Sequence, residues 1–309
     1  MSVTHTPTAP ALPAPGAAWG GAVMGLSVTA SLLGLHLGSG AGTAVATAVT
    51  ALAAVVLVVL LLGAVRTPRF DDIPAWSMMA MGVLALGSAA DTNLGWTGVH
   101  VATWVLGTVA AVTVLAVQSI RLLRGEVPAV FPGVLPLVTP MVAATNAAQL
   151  DHPALGTVLF VASLVTALPA FVRVYLGEGR RPQREVAATA WIPLGVVGQS
   201  STAALLLTDG TTVGVVYAVT LLALGGPAAA WAIVNHWGAL THLPAANPSW
   251  WAATFPVGTC SLGTYTLADA TGAGRVDAVS VLLLVLLCVH VVAAVAGVAS
   301  AAVAQLCGR

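Results

Sequence analysis

Apolar runs long enough to cross a bilayer follow one another along this chain with short polar breaks. They predict helices over residues 17–37, 42–65, 74–90, 97–123, 129–149, 154–176, 187–207, 211–236, 249–268 and 277–305. The runs alternate in character. Even-numbered runs are smooth: the second reads AVATAVTALAAVVLVVLLLGAV and the tenth opens VSVLLLVLLCVHVVAAVAGV, apolar on every face as a lipid-facing helix should be. Odd-numbered runs are interrupted. The first carries Gly20, Gly21, Gly25 and Gly34; the third starts at Pro74 and holds Gly82 and Gly87; the fifth has Pro132, Pro136 and Pro140. The seventh contains Pro193, Gly195 and Gly198, and the ninth Pro256, Gly258 and Gly263. Broken helices are tolerated at membrane depth where protein or a water-filled cavity shields them from lipid. A smooth and a broken helix recurring about every 60 residues predict an all-α polytopic membrane protein. Its ten transmembrane helices form five helical hairpins, the odd helices lining a central pore and the even ones outside.

Composition agrees with that reading and removes others. With 58% hydrophobic and 6% charged residues in 309, and a mean hydropathy of +0.97, the chain cannot solvate a globular surface. The expected organisation is a disordered tail over 1–16, a transmembrane domain over 17–305 and a short C-terminus over 306–309. Net charge is zero, lysine is absent and no basic run is interleaved with aromatics, so nucleic acid is not an expected partner. Arginines orient the chain. Arg66, Arg69, Arg121, Arg124, Arg173, Arg180, Arg181, Arg184 and Arg309 fall on one side, while Arg275 shares the other with Asp91, Asp151, Asp209, Asp269 and Asp277. The positive-inside rule then predicts a multi-pass protein of the cell membrane with both termini cytoplasmic.

The stretch Asn247–Thr259 concentrates the candidate chemistry. Ser249 suits an N-cap, Trp250 and Trp251 suit a membrane interface, and Pro256 bends the helix. Phe255 stands alone, with Ala252, Gly258 and Thr259 around it at helical spacing, and reads either as packing beside a kink or as a plug in a pore. In the fifth helix Pro132, Pro136, Thr139, Ala143 and Asn146 make a small and polar stripe; Trp191, Gly195, Gln199 and Thr202 do so in the seventh. Close helix packing through small residues is the competing explanation of such stripes. The expected pore lining is Gly25, Ser27, Gly82, Pro136, Thr139, Ala143, Asn146, Gly195, Gln199, Thr202, Pro256, Gly258 and Thr259, with Phe255 as gate.

No inner helix has Asp, Glu, Lys or Arg near its middle, where ion-coupled carriers keep their sites. A neutral passage of hydroxyls and amides can donate hydrogen bonds to an anion and hold it weakly, so small anions are the expected permeant species. Carbonyls freed by the prolines pull the other way. His36 and His290 lie in apolar spans and read as packing residues, with a proton relay as the alternative. His236 and His242 have no third ligand nearby. Cys260, Cys288 and Cys307 make no metal spacing, so neither metal nor cofactor is expected. Catalytic motifs and paired carboxylates are missing, which argues against an enzyme.

The segments WIPLGVVGQS over 191–200 and WWAATFPVGT over 250–259, with the start GGAVMGLS and the proline-rich fifth helix, resemble the tellurite-resistance/dicarboxylate transporter family, which includes the plant slow-type anion channels. The resemblance runs from about Trp19 to about Gln305. It implies a ten-helix bundle with five odd helices around a pore, a homotrimer with one pore per subunit, and a gating Phe in helix nine at the position of Phe255. A second Pro expected in a WIxLGPxG-like pattern is Val196 here, which leaves the bend of helix seven in question. Members of the family carry chloride, nitrate, C4-dicarboxylates such as malate, or sulfite, or relate to tellurite resistance. The resemblance therefore implies anion transport without choosing between a passive channel and a proton-coupled exporter working through His36 or His290.

Overall fold

The computed structural model describes residues 14–177, 181–240 and 248–307. The expectations placed on residues 1–13, Arg180, His242, Asn247 and Arg309 lie outside those residues. Ten α-helices follow in order: α1 (Gly20–Leu37), α2 (Ala41–Arg66), α3 (Ile73–Leu94), α4 (Thr97–Leu123), α5 (Phe131–Gln149), α6 (Pro153–Leu176), α7 (Ile192–Leu207), α8 (Thr212–Leu240), α9 (Thr254–Thr271) and α10 (Gly274–Leu306). Each odd helix packs on the even helix that follows it, and α1, α3, α5, α7 and α9 close on one another in a ring.

Short turns make the hairpins. The links at residues 38–40, 95–96, 150–152, 208–211 and 272–273 each pass through a left-handed residue: Gly38, Gly95, Asp151, Asp209 and Gly272. Glycine takes that conformation freely, and aspartate is among the few other residues that tolerate it. All five turns share one end of the bundle, with Asp151, Asp209 and Asp277. The links between hairpins share the other end, with Arg66, Arg69, Arg121, Arg124, Arg173 and Arg184. There Asp72 caps α3 by accepting from Ala75 N–H at 3.2 Å, and the Arg121 guanidinium donates to the Asp71 carbonyl at 3.0 Å.

Burial separates the two rings. In the most apolar window of each span, 67–83% of residues are buried in α1, α3, α5 and α7, against 17–33% in the even helices. The even helices turn Val58, Leu62, Leu106, Val109, Val158, Val165, Val216, Val285 and Val292 outward. Nine helices among the described residues are long and apolar enough to cross a membrane; α9 falls short of that hydropathy because Thr254, Thr259, Ser261, Thr264, Thr266 and Thr271 crowd its length. Its neighbours cover it, and most of its hydroxyls donate to carbonyls of its own helix, so it has no need to be apolar.

Two starts differ from the expected boundaries. Residues Arg184–Trp191 and Pro248–Ala253 are 3-10 helices that pack on each other and lead into α7 and α9. Pro193 and Pro256 therefore sit in the first turns of their helices, where no intrahelical donor is lost and no kink follows. Ser249 is not the N-cap of α9: the helix begins at Thr254, and the Ser249 hydroxyl donates to the Glu185 carbonyl at 3.0 Å. Helix α7 runs from Ile192 to Leu207, with Val196 packed in a cluster with Phe131, Leu137, Met141 and Phe171.

The closest approach in the inner ring is between α7 and α9. A Cβ on Gly198 would collide with the backbone of Thr259 and Cys260, and one on Gly263 would come within 3.0 Å of the Gly198 carbonyl. Gly198→Ala should therefore push the helices apart and lower stability by about 1–3 kcal/mol, read as a lower Tm in detergent. Gly226→Ala on exposed α8, where nothing lies within 4 Å, should be neutral or slightly stabilising. An unshifted Tm for the first variant would contradict the contact.

Candidate functional site

Two cavities lie in line inside the inner ring, and every odd helix or its 3-10 lead-in borders both. The one toward the arginine end, about 30 Å³, is lined by Met24, Met78, Met81, Leu135, Met141, Ile192 and Trp251, with Gly195, Pro256 and others. It is almost wholly apolar. The one toward the aspartate end, about 100 Å³, is lined by Ser31, Ser88, Thr92, Thr145, Asn146, Gln149 and Thr259, with apolar residues between them. Either has room for water by volume, but only the second offers water polar partners. Val142, Gln199 and Phe255 border both cavities, so they form the partition. Phe255, 7% exposed, contributes the largest ring to it.

Among the described residues, no Asp, Glu, Lys or Arg borders either cavity. The polar end differs from a simple ring of hydroxyl donors. Thr145 Oγ1 donates to the Met141 carbonyl and Thr259 Oγ1 to the Pro256 carbonyl, at 3.3 and 3.0 Å, as hydroxyls in membrane helices commonly do. Their protons are thus engaged, and the Asn146, Gln149 and Gln199 amides supply donors beside the Ser31 and Thr92 hydroxyls. Gln199 Nε2 donates to Thr145 Oγ1 at 2.6 Å and Asn146 Nδ2 to the Val142 carbonyl at 2.9 Å; each NH₂ group has a second hydrogen. Ser88 Oγ donates to Gln149 Oε1 at 3.0 Å, which leaves the Gln149 NH₂ group free for the cavity.

The thirteen expected lining residues divide. Asn146, Gly195, Gln199, Pro256 and Thr259 border a cavity, as does Phe255. The others lie in helix contacts: Gly25 against Thr254 and Trp251, Gly82 against Val23, Gly258 against Val28 and Leu287. Pro136, Thr139, Ala143 and Thr202 are buried away from both cavities; Thr139 and Thr202 donate to the Leu135 and Gly198 carbonyls, and the Trp104 indole of α4 donates to the Ala143 carbonyl. Ser27 is fully buried, its hydroxyl without a partner. The cavity face of α5 is therefore Leu135, Val138, Met141, Val142, Thr145, Asn146 and Gln149, which shares only Asn146 with the stripe read from the sequence. Small residues there serve close packing, and larger ones reach the axis.

Trp191 and Trp251 also fall elsewhere than expected. Trp251 is buried and borders the apolar cavity rather than a membrane interface. Trp191 turns outward from the axis and donates through its indole to His236 Nδ1 at 3.0 Å, with the His290 ring edge-on at 5.1 Å. His36 lies between α1 and α10, 2.9 Å from Ser280 Oγ and edge-on to Tyr265. Neither His36 nor His290 borders the axial cavities. The methionines of the apolar end went unread in the sequence; Met78 and Met81, one turn apart, were the available signal, though they look like ordinary core positions.

Ten helices in two rings around a partitioned axis define a membrane conduit. The voltage-dependent anion channel family model matches residues 16–299, nearly the whole chain, and the protein belongs to that family. Its members are channels or transporters that carry anions across membranes. A search of curated proteins finds no match to the chain.

With Cys260, Cys288 and Cys307 replaced, a cysteine at Ser88 should react with a charged thiol reagent supplied from the aspartate end. One at Met81 should react from that end only once Phe255→Ala is added. Equal labelling of both positions with Phe255 intact would show that the partition is misplaced.

Proposed function

We propose that the protein passes small monovalent anions such as chloride and nitrate passively across the cell membrane, and that Phe255 is the gate. The observation that carries this reading is the position of Phe255 between two cavities that all five inner helices enclose. The cavities contain no fixed carboxylate to attract a cation and no lysine or arginine to trap an anion, while the Asn146, Gln149 and Gln199 amides present donors. Weak donors favour throughput over retention. An apolar cavity beyond the Phe adds a second barrier, since an ion passing a methionine-lined space leaves most of its hydration behind.

The arginine end is the cytoplasmic end in this reading, as the positive-inside rule requires, and both termini lie there. Arginines at that mouth raise the local anion concentration, an effect confined by salt to about 8 Å. The homotrimer implied by the family resemblance gives each subunit its own conduit.

Phe255→Ala removes the ring from the partition, and each 1.4 kcal/mol taken from the barrier raises permeation about tenfold. Reconstituted in liposomes, the variant should show a chloride and nitrate flux at least an order of magnitude above the parent, unaffected by an imposed pH gradient. Unchanged flux in a well-folded variant would return Phe255 to a packing role. Saturable malate or sulfite flux that requires the gradient would mean a coupled carrier.

A further inference from the structure

The wall behind Asn146 continues into an outer helix. The bond from Asn146 Nδ2 to the Val142 carbonyl fixes the amide, so that Oδ1 faces His100 of α4, whose Nε2 lies 2.8 Å away. An amide oxygen only accepts; Nε2 therefore carries a proton. Across the ring, Nδ1 lies 3.0 Å from Asp91 Oδ2, while Asp91 Oδ1 accepts from the Thr97 hydroxyl at 2.7 Å. Asp91 is 28% exposed at the aspartate end and His100 only 1%, so the carboxylate has access to water and the ring has none. An ionised carboxylate also only accepts, which puts the second proton on Nδ1. A ring that donates from both nitrogens is an imidazolium.

From this geometry we infer that His100 is a buried cation, held by Asp91 and presented to the conduit through Asn146, and that it makes the Asn146 amide the anion-selecting donor of the polar cavity. The selecting role rests on the anion-permeation reading above. Asp91 cancels the net charge of the pair but lies at its exposed end, so the pair is a dipole with its positive end toward the axis. The charge-assisted bond at Oδ1 draws electron density from the amide and strengthens the N–H left for the cavity. Asn146 borders the cavity while His100 and Asp91 do not, so a permeating anion meets the polarised amide and never the ion itself. Weak retention is preserved.

Few other groups act on this ring. Helix α3 brings no ionisable residue besides Asp91, and α5 brings none. Helix α6 is preceded by His152, which stacks at 5.0 Å on Trp104, one turn from His100. The next ionisable group on α4 is Arg121, at the opposite end of the helix. The charge on His100 is thus balanced chiefly by Asp91.

Nitrogen-15 NMR of the histidine-labelled protein in lipid, assigned with His100→Gln, tests the charge directly. At neutral pH His100 should show two protonated ring nitrogens, and Asp91→Asn should reduce them to one. Flux tests the role, using the Phe255→Ala background with equal pH on both sides of the vesicle. His100→Gln should lower chloride flux about tenfold at neutral pH. Asp91→Asn should lower it as well. One protonated nitrogen in the parent, or a His100→Gln channel with the parent's chloride flux and chloride-over-sodium preference, would overturn the inference. Two protonated nitrogens in a Phe255→Ala protein that conducts no anion would refute the permeation reading and the selecting role, and leave the charge assignment standing.

Discussion

Hydrocarbon offers no hydrogen bond, and the whole arrangement follows from that. Each backbone donor and acceptor at membrane depth must be satisfied by protein, so whatever faces lipid has to be an unbroken apolar helix. Helices α2, α4 and α10 meet that requirement with Val, Leu and Ala, and α6 and α8 come close to it with one internal proline each, Pro169 and Pro227. Behind them the constraint relaxes. Helix α9 can carry a hydroxyl at a third of its positions, and α7 can start from a 3-10 segment, because other helices cover both. Glycine then lets the backbones of α7 and α9 touch at Gly198.

The axis is polarised by this packing. Met24, Met78, Met81 and Met141 make the arginine end apolar, and amides with engaged hydroxyls make the aspartate end polar. Phe255 stands where the two meet. Since the hydroxyl protons of Thr145 and Thr259 go to backbone carbonyls, the amides of Asn146, Gln149 and Gln199 stand among the donors left to the polar cavity. Gln199 is held by Thr145, and Asn146 by Val142 and His100. Residues on an outer helix thereby reach the conduit without lining it.

Much of the fold was legible along the chain. Smooth and broken runs alternate because lipid-facing and protein-facing helices obey different rules, and that alternation is linear information. Arginine and aspartate positions sorted the two ends for the same reason. The site was less legible. Phe255 stood out because it is the one large ring among small residues, yet the stripe Pro136, Thr139, Ala143 was read onto the axis, and none of the three borders either cavity. Small residues mark any close approach, whether to a cavity or to another helix, so spacing alone cannot distinguish the two. Ser249 and Pro256 were misplaced by one helical turn because a 3-10 lead-in and an α-helix have the same composition.

The sequence by itself determined ten helices, their pairing into hairpins, which five stand inside and which end carries the arginines, since each depends on local pattern and on the contrast between lipid and protein. Only the tertiary structure decided which face of each inner helix meets the axis, because that is a rotation about the helix axis, about 100° for α5, set by side chains from other helices. It also brought His100, Asp91 and Asn146 together from α4, α3 and α5. No spacing along one chain records a hydrogen-bonded relay that runs across three helices.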